Sequence, residues 1–359
     1  MPQIDIVPYN LKFSFEAKTS RGSLLKKQVW FIKVYSDKYN KIGWGECNVI
    51  PGLSADGDLG YESILNNWKS KFIDFEPNSE HEILEFVSET IPNQFPAMKM
   101  AFETAFLDYL SVTPFEVFGG DFFAGIAEIP INGLIWMGNS EFMKKQLQEK
   151  IKMGFSCIKI KIGGIDFEEE CKILSYVVNE YKNEGITLRL DANGAFSQDN
   201  ALKKLEKLAK FNIHSIEQPL PSGSLYLFDL LRLSPIPIAL DEELIGKYGK
   251  REMEDIVSMK PNFLILKPSL LGGFRQTSEW IDIAEKENIG WWITSALESN
   301  IGLNAIAQFT AGFNNPIPQG LGTGLIYDNN VTSPLTIRGE SLIYDKNKQW
   351  DISLIDNSI

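Results

Sequence analysis

Cys157-Ile158-Lys159-Ile160-Lys161, Leu188-Arg189-Leu190-Asp191, Ser215-Ile216-Glu217, Ala239-Leu240-Asp241 and Ile265-Leu266-Lys267 are short apolar runs that each end on a charged residue. Their terminal charges follow one another at steps of 30, 26, 24 and 26 residues. A strand, a covering helix and two turns take roughly 25 to 30 residues. The spacing therefore predicts a parallel sheet that delivers one charge after another to the same end. Working outward, strands are expected at 129–132, 157–162, 187–191, 215–217, 237–241, 263–267, 290–294 and 317–320, with helical periodicity between them at 141–153, 167–184, 200–210 and 273–287. Eight parallel strands at near-constant spacing favour a closed β/α barrel over an open doubly wound sheet, with the active site at the carboxyl ends of the strands.

Ahead of the barrel the pattern differs. Lys12-Phe13-Ser14-Phe15 and 29–35 alternate as antiparallel strands do, with Thr19-Ser20-Arg21-Gly22-Ser23 as an exposed loop between them. Gly43-Trp44-Gly45-Glu46-Cys47 reads as a glycine-punctuated strand end and Pro51-Gly52-Leu53-Ser54 as a second loop. Helices are expected at 61–72, 80–90 and 96–110; in the last, Met98, Phe102, Ala105, Phe106 and Tyr109 share a face. The chain thus divides into an α+β unit over 1–124, a barrel over 125–324 and a tail over 325–359. In the tail, Leu335-Thr336-Ile337 and Ser341-Leu342-Ile343 read as strands returning to the first unit.

With 359 residues, 44% of them apolar, the chain can bury a large core. No apolar run approaches the roughly 20 residues that cross a bilayer, and the N-terminus does not read as a signal peptide, so a cytoplasmic protein is expected. A formal charge of −12 argues against nucleic acid or an anionic membrane as partner and leaves a small molecule. Oligomeric state leaves no mark. Cys47, Cys157 and Cys171 have no metal-like spacing and read as free thiols. His81 and His214, the only histidines, read as structural.

Singly, an Asp at a strand end is usually a cap or a turn residue and a strand lysine is usually solvated. Six charges at successive strand ends instead make a site. Lys159 and Lys161, two residues apart on a strand, point to one side, which in a barrel is the interior. Asp191, Glu217 and Asp241 form an oxygen-ligand set suited to Mg²⁺ or Mn²⁺; zinc fits less well, since no His or Cys joins them. Lys267 comes from the opposite wall, leaving a gap in which a carboxylate can sit. This arrangement suits removal of a proton next to a carboxylate, where a dication and an ammonium stabilise the enolate. A lysine base must be partly neutral, and Lys159 reads as the residue that lowers the pKa of Lys161. Arg189 shares the Asp191 face, either as an ion-pair partner in the barrel mouth or as a substrate contact.

In Lys159-Ile160-Lys161, Asp191-Ala192-Asn193, Glu217-Gln218-Pro219, Asp241-Glu242 and Lys267-Pro268, taken in order, the chain resembles the enolase superfamily in its muconate lactonising subgroup, and within it the o-succinylbenzoate synthases. The resemblance extends to the capping unit, through Gly43 to Cys47 with Pro51 to Ser54 as the second capping loop and through the helix at 96–110. It implies an enolase-type modified TIM barrel with an α+β capping domain. It further implies Mg²⁺, with Mn²⁺ able to substitute, on Asp191, Glu217 and Asp241, Lys161 as acid/base, Lys267 on the other face and Lys159 in support. Arg189, Asn193, Ser295 and Arg21 are the candidate substrate contacts. The implied activity is a carbon–oxygen lyase reaction, dehydration of 2-succinyl-6-hydroxy-2,4-cyclohexadiene-1-carboxylate to o-succinylbenzoate in menaquinone synthesis. The alternatives are a dipeptide (Ala-Glu type) epimerase, an N-acylamino acid racemase and, more remotely, a non-catalytic metal-binding scaffold. Epimerases of this kind carry an Asp-x-Asp pair at the end of the eighth strand, where this chain reads Gly320-Leu321-Gly322-Thr323-Gly324. Ser295 to Ser299 could offer a hydroxyl and backbone amides to a carboxylate.

Overall fold

The computed structural model describes residues 2–19, 22–57, 60–182 and 184–356. Strands β1 (Gln3–Thr19), β2 (Gly22–Ser36) and β3 (Lys41–Cys47) form an antiparallel sheet in that order. The first two pair as far as Thr19 and Gly22, so most of the loop expected there is strand. Arg21 lies outside the described residues.

The helices Tyr61–Lys69, Glu80–Thr90 and Pro96–Leu110 fall where apolar periodicity places them. Ser79 caps the second through its side chain, and Pro96 opens the third, where a missing N–H costs nothing. The third helix is buried on every face over Pro96–Tyr109, not on one stripe. It lies between β3 and the barrel helices Pro268–Leu271 and Gly273–Lys286. Gly43 and Gly45 therefore serve packing within β3: a Cβ on either would collide with the backbone of Ala101, Ala105 or Tyr109. On the barrel side the buried Glu103 accepts the Phe274 N–H at 2.5 Å, covering an orphan donor at a helix start.

β4 (Ile129–Pro130) precedes the barrel strands β5 (Gly133–Ile135), β6 (Cys157–Lys161), β7 (Thr187–Asp191), β8 (Ser215–Glu217), β9 (Ile238–Leu240), β10 (Phe263–Leu266) and β11 (Gly290–Ile293). The seven from β5 to β11 form one parallel sheet in sequence order. The expected eighth strand makes only single bridges, Gln319 to Ile131 and Gly320 to Thr294, and these close the barrel between its first and last strands. Its Pro318 and Gly320 explain the short pairing. Of the expected first strand at 129–132, Ile129 and Pro130 belong to a small antiparallel sheet, while Ile131 makes the parallel bridge to Gln319. In that sheet β4 pairs with β13 (Ser341–Tyr344), itself paired with β12 (Leu335–Arg338).

The hairpin of the tail thus pairs with β4 and not with the first sheet, while Tyr344 of β13 packs on Phe122 and Phe123 at the end of the unit 1–124. Further contact with the capping unit is made on either side of the hairpin. Asp328 N donates to Lys12 O at 2.9 Å, Tyr327 packs on Phe13, and Trp350 stacks on Phe115. No helix among the described residues is long and apolar enough to cross a membrane. Cys47, Cys157 and Cys171 are free and buried.

Candidate active site

Strand register brings the charged ends together. Lys161 lies beside Asp191 and Asp191 beside Glu217 as paired residues of β6, β7 and β8, while Asp241 and Lys267 directly follow β9 and β10. Each apolar run buries its strand, and the first residue past it reaches the barrel mouth. Gln218, held at φ 37°, aligns the neighbouring turns: its Oε1 accepts the Asp241 and Glu243 N–H groups at 3.1 and 3.2 Å.

Lys159 Nζ lies 2.6 Å from Glu217 Oε2 and 3.0 Å from Asp191 Oδ2. Lys161 Nζ lies 2.9 Å from Asp191 Oδ2 and 2.8 Å from Asn193 Oδ1. Lys267 bonds to Asp241 Oδ2 and stands 4.0 Å from Glu217 Oε1. Burial opposes the charge on Lys159, but the carboxylates of Asp191 and Glu217 outweigh it and hold this lysine above its ordinary pKa. Lys159 is thus a standing ammonium, which suits its expected supporting role. Burial pulls against Lys267 as well, and Asp241 with Glu217 again raises it. Asp191 is held well below the usual carboxylate range, because Lys159, Lys161 and Lys267 overcome its burial. Asp241 moves the other way, raised by burial and by Glu242 and Glu217 against the pull of Lys267.

The three acids are gathered but not closed into a shell. Among the described residues no three His, Cys, Asp or Glu side chains converge closely enough to hold a metal ion, since each carboxylate turns onto an ammonium. The donors nonetheless fit a small hard dication. All are carboxylate oxygens from neighbouring strands, and Glu217 Oε1 is buried without a hydrogen-bond partner.

The cavity over these residues is lined by Lys159, Lys161, Asp191, Asn193 and Lys267 from the barrel, Ile50 and Leu53 from the capping unit, and the turns 294–297 and 320–323. Asp191 is its one acid among the described residues, against three lysines. The expected contacts separate here. Asn193 lines the cavity, its Nδ2 donating to Glu242 Oε1 at 3.0 Å. Ser295 also lines it, but its hydroxyl is committed, donating to Glu298 at 2.6 Å and accepting from Thr323 at 2.8 Å. Arg189 does not reach it. Its guanidinium lies inside the barrel, 2% exposed, donating to Pro318 O at 2.7 Å and stacking 3.9 Å over the Trp292 ring. Two residues short of the strand end, it shares the face of Asp191 and fills a lower layer.

Arg189→Ala is therefore expected to lower stability by about 2–4 kcal/mol through lost packing, with KM of the folded protein within about threefold of the parent. Denaturant unfolding and steady-state kinetics check both, and a large rise in KM would restore Arg189 to the substrate.

Sequence reasoning missed Asn132, Thr323 and Trp136, whose ring centre lies 5.9 Å from Lys161 Nζ. Nothing local marks them; Asn132 and Thr323 depend on closure of the barrel between its ends, and Trp136 on the register of β5 against β6. His81 is exposed beside Glu85 and His214 stacks on Phe263, both away from the cavity.

Residues 142–345 match the enolase C-terminal domain-like family. The chain is 41% identical over 353 residues to the o-succinylbenzoate synthase of Desulfotalea psychrophila, covering 92% of this chain and 95% of that one. The chain belongs to the enolase superfamily. Among solved structures of that superfamily, MenC from Desulfotalea psychrophila superposes with a TM-score of 0.82 at 38% identity, covering 95% of this chain and 99% of its own. The L-Ala-D/L-Glu epimerase of Bacillus subtilis, at 19% identity and a TM-score of 0.81 over 97% of this chain and 96% of its own, shares the fold. The N-succinylamino acid racemase of Thermus thermophilus is 26% identical over 84% of this chain and 79% of its own.

Proposed function

We propose that this protein is an o-succinylbenzoate synthase, a carbon–oxygen lyase that dehydrates 2-succinyl-6-hydroxy-2,4-cyclohexadiene-1-carboxylate to o-succinylbenzoate in menaquinone synthesis. The supporting observation is a cavity lined by three lysines and one acid, in a chain 41% identical to a named synthase over nearly its whole length. The substrate is a dicarboxylate, which such a cavity favours.

Lys161, as the free amine, takes the proton from the ring carbon bearing the carboxylate, and the electron pair moves into that carboxylate as an enolate. Lys267, an ammonium on the other wall, and the standing charge of Lys159 balance the new negative charge. The enolate electrons then expel the hydroxyl group from the neighbouring ring carbon, and the Lys161 ammonium returns its proton so that water leaves and the ring becomes aromatic. Asp191, Glu217 and Asp241 would hold Mg²⁺ or Mn²⁺, which when bound supplies further positive charge at the substrate carboxylate. Capping residues Ile50 and Leu53 help exclude water. We assign the protein to the cytoplasm, where reducing conditions suit its three free thiols.

An epimerase of dipeptides needs a counter-charge for the substrate ammonium. Gly320, Gly322 and Thr323 line that part of the cavity and provide none. The discriminating experiment incubates purified protein with the cyclohexadiene substrate and, separately, with Ala-Glu dipeptides and N-succinylamino acids. Dehydration is expected to be fastest, to stop in EDTA and to return with Mg²⁺ or Mn²⁺. Epimerisation without dehydration, or full activity in chelator, would overturn the assignment.

A further inference from the structure

Lys27 lies on β2, in the capping unit, and is 4% exposed. Its ammonium donates to Asn48 Oδ1 and to the carbonyl oxygen of Leu297, beyond the end of β11. The Tyr327 hydroxyl donates to that same carbonyl at 2.7 Å. Asn48 Nδ2 donates to the carbonyl of Ala296 at 2.8 Å and to Glu298 Oε1 at 3.0 Å. Both carbonyls flanking the Leu297 Cα are thereby held by side chains from outside the barrel sheet. Leu297 itself sits at φ 66°, a left-handed conformation that a bulky L residue adopts only when its surroundings impose it.

A trans peptide points its N–H opposite to its C=O, and no peptide here is cis. With the Ala296 carbonyl drawn to Asn48, the Leu297 N–H is turned away from Asn48, and among the described residues no acceptor meets it. Ala296 and Leu297 both line the active-site cavity. The three lysines of that cavity are engaged around Asp191, Glu217 and Asp241, and the Ser295 and Thr323 hydroxyls are committed to each other and to Glu298. An uncommitted amide donor therefore stands in the lining, beside the Thr294 hydroxyl, which is also buried without a hydrogen-bond partner.

We propose that Lys27 is a positioning residue for substrate recognition: with Asn48 and Tyr327 it presents the Leu297 N–H to the cavity, where that group donates to the carboxylate on the substrate's non-reacting arm. The inference rests on the synthase reading, in which the substrate carries a second carboxylate on its succinyl arm. It assigns no proton transfer to Lys27. Loss of a hydrogen bond to a charged group is worth about tenfold or more in binding.

The test compares the parent with Lys27→Met and Tyr327→Phe in steady-state kinetics. Each is assayed with the cyclohexadiene substrate and with its analogue carrying a carboxamide in place of the succinyl carboxylate. The parent is expected to show a KM about tenfold higher for the analogue. Lys27→Met should raise KM for the substrate by about tenfold with kcat changed by less than about threefold, and the preference for the carboxylate arm should largely vanish. Tyr327→Phe should move both in the same direction by a smaller factor. Unchanged KM and preference in both variants, or a fall in kcat at constant KM, overturns the proposal, as does a parent that accepts the analogue equally well. If Lys27→Met does not fold, Tyr327→Phe, which loses a single hydroxyl, decides alone. A parent that dehydrates neither compound overturns the synthase reading and this inference with it.

Discussion

Lys161→Ala is expected to lower kcat for dehydration by about 10²- to 10⁴-fold, the usual contribution of a positioned acid/base, while the protein keeps its fold. The reason is local. Lys161 lies at the very end of β6, its Nζ held at 2.9 Å by Asp191 and 2.8 Å by Asn193, so removing it takes away the proton acceptor and leaves the strand and its neighbours intact. Lys159 lies one layer lower in the barrel, its Nζ 2.6 Å from Glu217 and 3.0 Å from Asp191, and is not expected to replace it. Stopped turnover with an unchanged circular-dichroism spectrum is the expected result, and exchange of the substrate α-proton in deuterated water should stop with it. Retention of more than a small fraction of the rate would remove Lys161 from its role.

Lys267→Ala should be nearly as severe, about 10²- to 10³-fold in kcat, a loss of electrostatic stabilisation in a water-poor site. Lys267 reaches the cavity from β10, four strands away from the β6 of Lys161 in the sheet order, and pairs with Asp241. Asp241 and Glu217 raise its pKa against burial. Lys267→Arg should then recover part of the rate, since the charge is restored. In an epimerase both lysines exchange protons, one on each face, and Lys267→Arg would recover nothing. The recovered fraction, measured alongside α-proton exchange, separates the two roles.

Much of this site was legible because its signals are local. A short, largely apolar run ending on Asp191 or Lys267, repeated at the length of one β/α unit, states both the strand and the end at which its charge emerges. The helices 80–90 and 96–110 were equally plain from periodicity. Where the reading failed, the deciding partner lay far along the chain. Arg189 looks like Asp191's companion on the strand, but Pro318 and Trp292 claim it. Ser295 does line the cavity, but only the fold shows that Glu298 and Thr323 hold its hydroxyl. The hairpin at 335–344 alternates as any edge hairpin would, and only the chain's return across the barrel entrance pairs it with Ile129 and Pro130.

By itself, then, the sequence determined the order of the barrel strands, the end of the sheet that carries the chemistry, and the division of its charges into three acids and three lysines. These follow from burial of apolar runs and from loop lengths, both properties of neighbours in the chain. The tertiary structure alone decided which lysine meets which carboxylate, how the barrel closes through Gln319 and Gly320, and how Lys27, Asn48 and Tyr327 hold Leu297 at the cavity wall. Those contacts join residues some 20 to 270 positions apart, and hydrogen bonds over such distances depend on where the packed core brings the chain back, which no local pattern records.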